Sequence, residues 1–138
     1  NPDYLKVVEA VKDAAGTALL PNWYPDGTTV DRVEDHSRDS VLGYYISFSK
    51  AEEEFSLFII AYDTKSSMSS IHEKNETSGT IQYTSGGMPY YLMENLERTV
   101  AVWQGKTAEY SLSGALTKEE IKHMINSIDL GDDENVQN

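Results

Sequence analysis

Apolar residues recur at helical spacing near both ends of the chain. Residues 2–16 (PDYLKVVEAVKDAAG) carry a narrow apolar stripe, begin with a proline and an aspartate suited to a first turn, and end at Gly16. Near the carboxyl terminus, Thr117 and Glu120 form a T-x-x-E capping box ahead of residues that repeat at i, i+3, i+4 and i+7. The members of this second apolar face are Ile121, Met124, Ile125 and Ile128. Both patterns predict amphipathic helices.

Between these helices the chain consists of short β-rich runs separated by clusters of turn residues. The runs lie at 28–36, 41–49, 55–63, 80–83, 88–95, 98–105 and 107–114. The last two are close enough to pair through a short turn at residues 104–106. We therefore predict an α+β fold. A curved antiparallel meander of about six or seven strands carries the amino-terminal and carboxyl-terminal helices on one face.

Length and composition limit the classes of protein that this chain can represent. Its 138 residues fit a single domain, which we place at 1–130, followed by a disordered acidic tail at 131–138. The net charge of −12 disfavours nucleic acid and anionic lipid as partners. The absence of cysteine excludes disulfides, thiolate catalysis and cysteine-ligated metals. No apolar run reaches the roughly 18 residues of a membrane helix. The chain begins at Asn1 without a signal peptide, so we expect a piece of a longer protein.

No motif in the chain assembles a reactive centre. Residues 72–76 (HEKNE) begin like a zinc signature but lack its second histidine. Ser47 and Lys50 match S-x-x-K, yet they end a predicted strand and should point to opposite faces. The acidic clusters 52–54 and 132–134 lack the alternating spacing of a calcium loop. We predict no enzymatic activity, no metal and no cofactor.

Aromatic residues are the strongest candidates for ligand contact. The nine tyrosines include two adjacent pairs, Tyr44–Tyr45 and Tyr90–Tyr91. Neighbours on a strand point to opposite faces, so each pair places one ring in the core and one outward. Outward rings can stack on a sugar, a lipid or a peptide, although cross-strand packing is their commoner use. The candidate ligand-binding residues are Trp23, Tyr45, Tyr90, Tyr91 and Trp103.

Several stretches together resemble a known domain family. Residues 20–27 (LPNWYPDG) are similar to the L-P-x-W-x-P-x-G stretch of the bacterial domain of unknown function 4367. Residues 83–95 (YTSGGMPYYLMEN) resemble its glycine pair and aromatic strand. Residues 99–103 (TVAVW) and 110–128 (YSLSGALTKEEIKHMINSI) resemble its last strands and final helix. The resemblance implies an extracytoplasmic domain of Gram-positive bacteria, which often follows a single membrane helix in proteins organised like anti-sigma factors. No enzymatic activity is associated with the family, and its fold is similar in outline to periplasmic regulators and lipoprotein carriers.

The proline-rich stretch at 20–27 is interpreted as a structural corner. Pro21 and Pro25 disfavour helical backbone before them, and the Asp-Gly pair that follows supplies a turn. Trp23 is then placed to fill the end of the core between helix and sheet, with contact to a ligand as the alternative.

Two function classes remain open from the sequence. The first is a sensory or interaction domain at the bacterial cell surface that binds a protein, a peptide or an envelope component. Its membrane association would come from an anchor outside this segment. The second is a carrier that holds a lipid or a sugar in the concave face of a curved sheet. A third class, hydrolases, is disfavoured because no nucleophile and base can be assembled from the residues present. A filled core with an aromatic surface patch favours the first class, and a deep apolar pocket favours the second.

Overall fold

The computed structural model describes residues 2–62, 80–95 and 98–130. The predicted tail (131–138) and the motif at 72–76 lie outside the described residues. Two helices and seven strands follow one another in the described chain. They are α1 (Pro2–Ala15), β1 (Thr29–Asp35), β2 (Val41–Lys50), β3 (Glu53–Tyr62), β4 (Thr80–Ser85), β5 (Met88–Asn95), β6 (Arg98–Gln104), β7 (Ala108–Gly114) and α2 (Lys118–Asn126). The predicted α+β class is confirmed.

All neighbouring strands of the single sheet are antiparallel, in the order β1-β2-β3-β7-β6-β5-β4. The sheet therefore consists of two meanders, β1 to β3 and β4 to β7, which join where β3 pairs with β7. The predicted pairing of β6 with β7 is confirmed. The sequence did not indicate that the chain passes from β3, inside the sheet, to β4 at its far edge.

One face of the sheet, called here the inner face, carries the core and both helices. Tyr4 of α1 packs edge-on against Phe48 of β2 at 6.2 Å between ring centroids. Asn126 of α2 accepts hydrogen bonds from Tyr83 and Ser85 of β4. Alternate residues of the two central strands point to this face and are fully or almost fully buried. They are Phe55, Leu57, Ile59, Ala61, Ala108, Tyr110 and Leu112.

The second helix begins with the capping box that the sequence predicts. The Glu120 amide donates to Thr117 Oγ1 at 3.0 Å, and the Thr117 amide donates to Glu120 Oε1 at 3.0 Å. Lys50 of β2 donates to Glu120 Oε2 at 2.7 Å, which ties the helix start to the sheet. Burial raises the pKa of the Glu120 carboxyl, but its hydrogen bonds with Lys50 and Thr117 outweigh burial and lower the pKa overall. Among the described residues, no helix has the length and apolar character that crossing a bilayer requires.

Gly114 at the end of β7 allows a close approach of β3 to β7, where the two meanders join. Its φ is +148°, and a Cβ there would lie 2.5 Å from Phe55 Cα on β3. Gly16 also has a positive φ, +86°, but a Cβ there would meet nothing within 4 Å. An alanine at Gly16 would therefore experience backbone strain alone, whereas an alanine at Gly114 would experience backbone strain and steric overlap.

We expect Gly114→Ala to destabilise the protein more than Gly16→Ala does. The left-handed backbone strains both variants by about 1–2 kcal/mol, and overlap at Gly114 adds about 1–3 kcal/mol. Urea unfolding of both variants measures the difference in free energy of unfolding. Equal losses would show that the approach of Phe55 to Gly114 does not limit stability.

Candidate functional site

The sheet face opposite the helices, called here the outer face, carries apolar side chains that are not part of the buried core. Both described helices contact the inner face, so no described helix packs on the outer one. Antiparallel sheets commonly leave one face to solvent, and such a face is normally polar. Here Phe58 of β3 points outward with 37% of its surface exposed. The outer face is therefore the first place to look for a binding surface.

Five outward side chains form one row across five neighbouring strands, called here the Tyr45–Tyr91 row. Cross-strand registers place them side by side in the order Tyr45, Phe58, Ser111, Val102 and Tyr91. Because neighbouring strands lie about 4.8 Å apart, the two tyrosines are roughly 19 Å from each other. All but Phe58 are half-buried. The row presents aromatic and aliphatic groups over a length that suits an extended peptide or a protein surface.

A hollow of about 240 Å³ lies beside the middle of this row and is called here the Glu109 hollow. Its walls are mostly apolar, and its charged lining residue is Glu109 of β7. The residues that line it are Phe58, Ile60, Val102, Glu109, Tyr110 and Ser111. The hollow thus has a mostly apolar lining that includes one carboxyl group.

Glu109 is unusual for an outward-pointing glutamate because only 6% of its surface is exposed. Its Oε2 atom is buried and has no hydrogen-bond partner among the described residues. Its cross-strand neighbours, Ile60 and Gln104, carry no charge. Burial raises the pKa of the Glu109 carboxyl. This carboxyl is a strong acceptor that the described protein atoms leave partly unsatisfied.

A smaller polar recess of about 110 Å³ lies toward the other end of the outer face. Ser47, Ser56 and Ser113 line it, and the guanidinium of Arg98 donates to Ser113 Oγ. Ser113 is four residues from Glu109 on the same strand, a separation of about 14 Å. The apolar row therefore lies between a carboxyl group on one side and a guanidinium on the other.

The five aromatic candidates from the sequence do not form one site. Tyr45 and Tyr91 lie on the outer face, in the same row. Tyr90 and Trp103 are each 1% exposed in the core under the helices. Trp103 stacks on Tyr110 with 5.6 Å between centroids and donates to the Leu19 carbonyl at 3.0 Å. The expectation that each tyrosine pair sends one ring inward agrees with this placement.

Trp23 lies apart from both groups, on the surface of α2. Its ring stacks on His123 with 3.6 Å between centroids and 8° between planes. The sequence predicts that Trp23 fills the end of the core. In the structure Trp23 is half-buried and packs against the edge of the core instead. The amides of Asn22 and Trp23 both donate to Ser127 Oγ, at 2.8 and 3.0 Å. The stretch 20–27 is therefore a corner fastened to the end of α2, as predicted.

Phe58, Ile60 and Glu109 are residues of this site that sequence reasoning missed. Phe58 lies in a run so apolar that the sequence does not show which residues face out. A glutamate between Ala108 and Tyr110 looks like an ordinary solvent-facing strand residue. Only the register of β7 between β3 and β6 shows that neighbouring side chains enclose its carboxyl.

Other candidate chemistry is separated in space. Ser47 faces outward, whereas Lys50 bonds to Glu120 on the helix side, so the S-x-x-K pair does not converge. Within residues 2–62, 80–95 and 98–130, no group of three or more His, Cys, Asp or Glu side chains could hold a metal ion.

A groove of about 410 Å³ lies on the helical side, between α1 and the chain that follows it. Tyr4, Val8, Leu20 and Pro21 line it together with Leu5, which is 61% exposed. Its volume lies within the range of small-molecule sites. It is the alternative location for a ligand.

Comparison with known proteins gives one family match. Residues 18–128 match the model of the family described as Domain of unknown function (DUF4367). The match contains the sheet and α2 and leaves α1 outside. No curated protein is significantly similar to the chain. Among solved structures, a chain of "Crystal structure of MucB in complex with MucA(peri)" aligns with a TM-score of 0.48 and 14% identity. That alignment covers 82% of this chain and 36% of the other. This chain thus spans about a third of the length of that one.

We expect Trp23→Ala to lower the free energy of unfolding by about 1–2 kcal/mol, because stacking contributes ~0.5–1.5 kcal/mol beyond area burial. Trp103→Ala should cost about 3–5 kcal/mol, as for a fully buried aromatic residue. Urea unfolding of both variants provides the comparison. If Trp23→Ala matched Trp103→Ala, the corner would be part of the core, contrary to its half-buried position.

We expect Glu109→Gln to stabilise the protein at pH 7 by about 1 kcal/mol, because it removes a buried charge without its full set of partners. Burial in the folded state raises the pKa of Glu109 above its value in the unfolded chain. Ionisation of this carboxyl therefore destabilises the fold as the pH rises above the pKa of the unfolded state. The gain should shrink toward zero below pH ~4, where the carboxyl is protonated in both states. Thermal unfolding across pH tests this against Glu52→Gln, a change in an exposed turn. A gain that does not vary with pH would contradict the assignment.

Proposed function

The chain belongs to the DUF4367 domain family, and from this membership and the outer face we propose that it is a non-enzymatic interaction domain. In this proposal it binds a protein or peptide partner across the outer face. The observation that carries the proposal is the Tyr45–Tyr91 row, an aromatic and aliphatic strip on the face opposite both described helices. Contiguous apolar surface bordered by polar groups is typical of interaction sites.

The residue types on the outer face support a protein partner. Tyrosine and arginine are enriched at protein interfaces, and they dominate the residues whose removal weakens binding most. Tyr45 and Tyr91 lie at the ends of the row, and Arg98 borders it beside the serine-lined recess. An open row of side chains of this kind suits contact with the surface of a protein partner better than it suits enclosure of a small molecule.

The non-enzymatic part of the proposal is supported by the dispersal of reactive groups. Ser47 and Lys50 lie on opposite faces, and Glu109 lies among apolar side chains with no charged cross-strand neighbour. Nucleophilic catalysis of the serine–lysine type needs the nucleophile and its base within hydrogen-bond reach of each other.

We further propose that the domain acts outside the bacterial cytoplasm, as part of a membrane-associated protein. The support is the family resemblance carried by residues 20–27, 83–95 and 110–128. Those stretches form the corner, the β4–β5 hairpin, and most of the central strand β7 together with α2. They belong to the region that the family model matches.

The alternative function, a carrier of a lipid or a sugar, has one supporting observation. The inner face, where a concave sheet would hold such a ligand, is occupied by stacked aromatic residues such as Trp103 and Tyr110. The groove beside α1 is lined partly by apolar side chains and is large enough for a small ligand, and Leu5 is exposed at it. A carrier function would therefore use this groove rather than the inner face of the sheet.

Site-specific photo-crosslinking in cells that produce the full-length protein tests the proposal. We expect p-benzoylphenylalanine at Tyr45, Phe58 or Tyr91 to give the same crosslinked protein. p-Benzoylphenylalanine in place of Leu5 on α1 should give no crosslinked protein. Phe58→Asp should reduce the crosslink from Tyr91 at least tenfold, because loss of a central interface residue weakens binding by about 2 kcal/mol or more.

Ile81→Asp is the matched control, since Ile81 is 47% exposed and lies on the inner side of β4. It should leave the crosslink unchanged. Crosslinks that arise from Leu5 and not from the row would move the binding site to the groove beside α1 and favour the carrier function. Equal effects of the two aspartate variants would contradict an interface at the outer face.

A further inference from the structure

The Glu109 hollow has the size of a single side chain rather than of a metabolite. Its volume of about 240 Å³ is below the ~300–1,000 Å³ that is typical of small-molecule sites. It opens on the outer face beside Phe58, Ser111 and Val102, the members of the Tyr45–Tyr91 row that line it. A partner that lies across the row would pass directly over this opening.

Glu109 gives the hollow a chemical preference. Its Oε2 atom is buried without a hydrogen-bond partner in the described part of the chain, and only 6% of the residue's surface is exposed. A buried carboxylate that lacks a partner is costly, and a charged donor satisfies it best. Among the described residues, no cationic side chain lines the hollow. A cationic donor from a partner molecule would complete the hydrogen bonding of this carboxylate.

The walls determine what kind of cation fits. Phe58, Ile60 and Val102 offer carbon surface, which suits an aliphatic stem that ends in a charged head. Calcium and magnesium ions need about six oxygen ligands or more, and Glu109 is the one carboxylate among the described residues that line the hollow. An organic cation on an apolar stem can pack its stem against the walls and donate a hydrogen bond to the carboxylate.

We infer that the Glu109 hollow receives the side chain of a lysine or an arginine from the protein partner. The inference rests on the proposed function, because it assigns the anchor by which a partner on the outer face is recognised. The stem would pack on Phe58, Ile60 and Val102, and the ammonium or guanidinium would donate to Glu109. The net charge of −12 attracts such a cationic partner over a longer range.

The closing experiment uses n-butylammonium as a probe of the side chain and n-butanol as its uncharged counterpart. In NMR titrations of the isotope-labelled chain at pH 7, we expect butylammonium to shift the resonances of Phe58, Ile60 and Val102. Butanol should bind at least tenfold more weakly. Glu109→Gln should reduce butylammonium affinity at least tenfold, and Glu52→Gln should leave it unchanged.

Each outcome decides the inference. Binding of butylammonium that Glu109→Gln removes supports it, whatever crosslinking shows about the partner. Absence of binding, equal binding of butanol, or binding that persists in Glu109→Gln overturns it, even where crosslinks from the outer face establish a partner. Should Glu109→Gln fold poorly, the direct comparison of butylammonium with butanol on the unaltered chain still decides the question.

Discussion

The antiparallel register between β3 and β7 joins the two halves of the sheet and fixes which side chains reach each face. In this register Ile59 pairs with Tyr110 toward the core, and Ile60 pairs with Glu109 on the outer face. A shift by one residue would move Glu109 into the core and Tyr110 to the surface, because neighbouring side chains alternate between faces. Packing on the inner face excludes that shift, so the same register places Glu109 beside the row.

Much of this architecture could be predicted from sequence because it depends on local signals. The capping box at Thr117 and Glu120 marks the start of α2 through contacts three residues apart. Alternation within a strand predicted that Tyr45 and Tyr91 would differ in direction from their neighbours Tyr44 and Tyr90. Each of these features is determined by residues close together in the chain.

The features that sequence reasoning missed all depend on contacts between distant parts of the chain. The pairing of β3 with β7 joins residues more than forty positions apart, as for Ala61 with Ala108. Enclosure of Glu109 needs β3 on one side and β6 on the other. The stacking of Trp23 on His123 depends on where α2 lies over the sheet. No local pattern contains this information. Composition and periodicity could therefore identify candidate aromatic residues but could not predict which of them lie side by side in the fold.

In the proposed function, the inner face provides stability and the outer face provides recognition. Trp103, Tyr110 and the backbone of Leu19 interlock on the inner face, where the Leu19 amide donates to Tyr110 OH and its carbonyl accepts from Trp103. A core held in this way can tolerate a buried, partly unsatisfied carboxyl on the other side of the same strand, because that penalty of about 1–3 kcal/mol is small against the burial of several large side chains. Tyr110 and Glu109 are adjacent residues with opposite effects on stability. Strand alternation thus allows β7 to contribute a core aromatic on one face and the carboxyl of the Glu109 hollow on the other, without either disturbing the other.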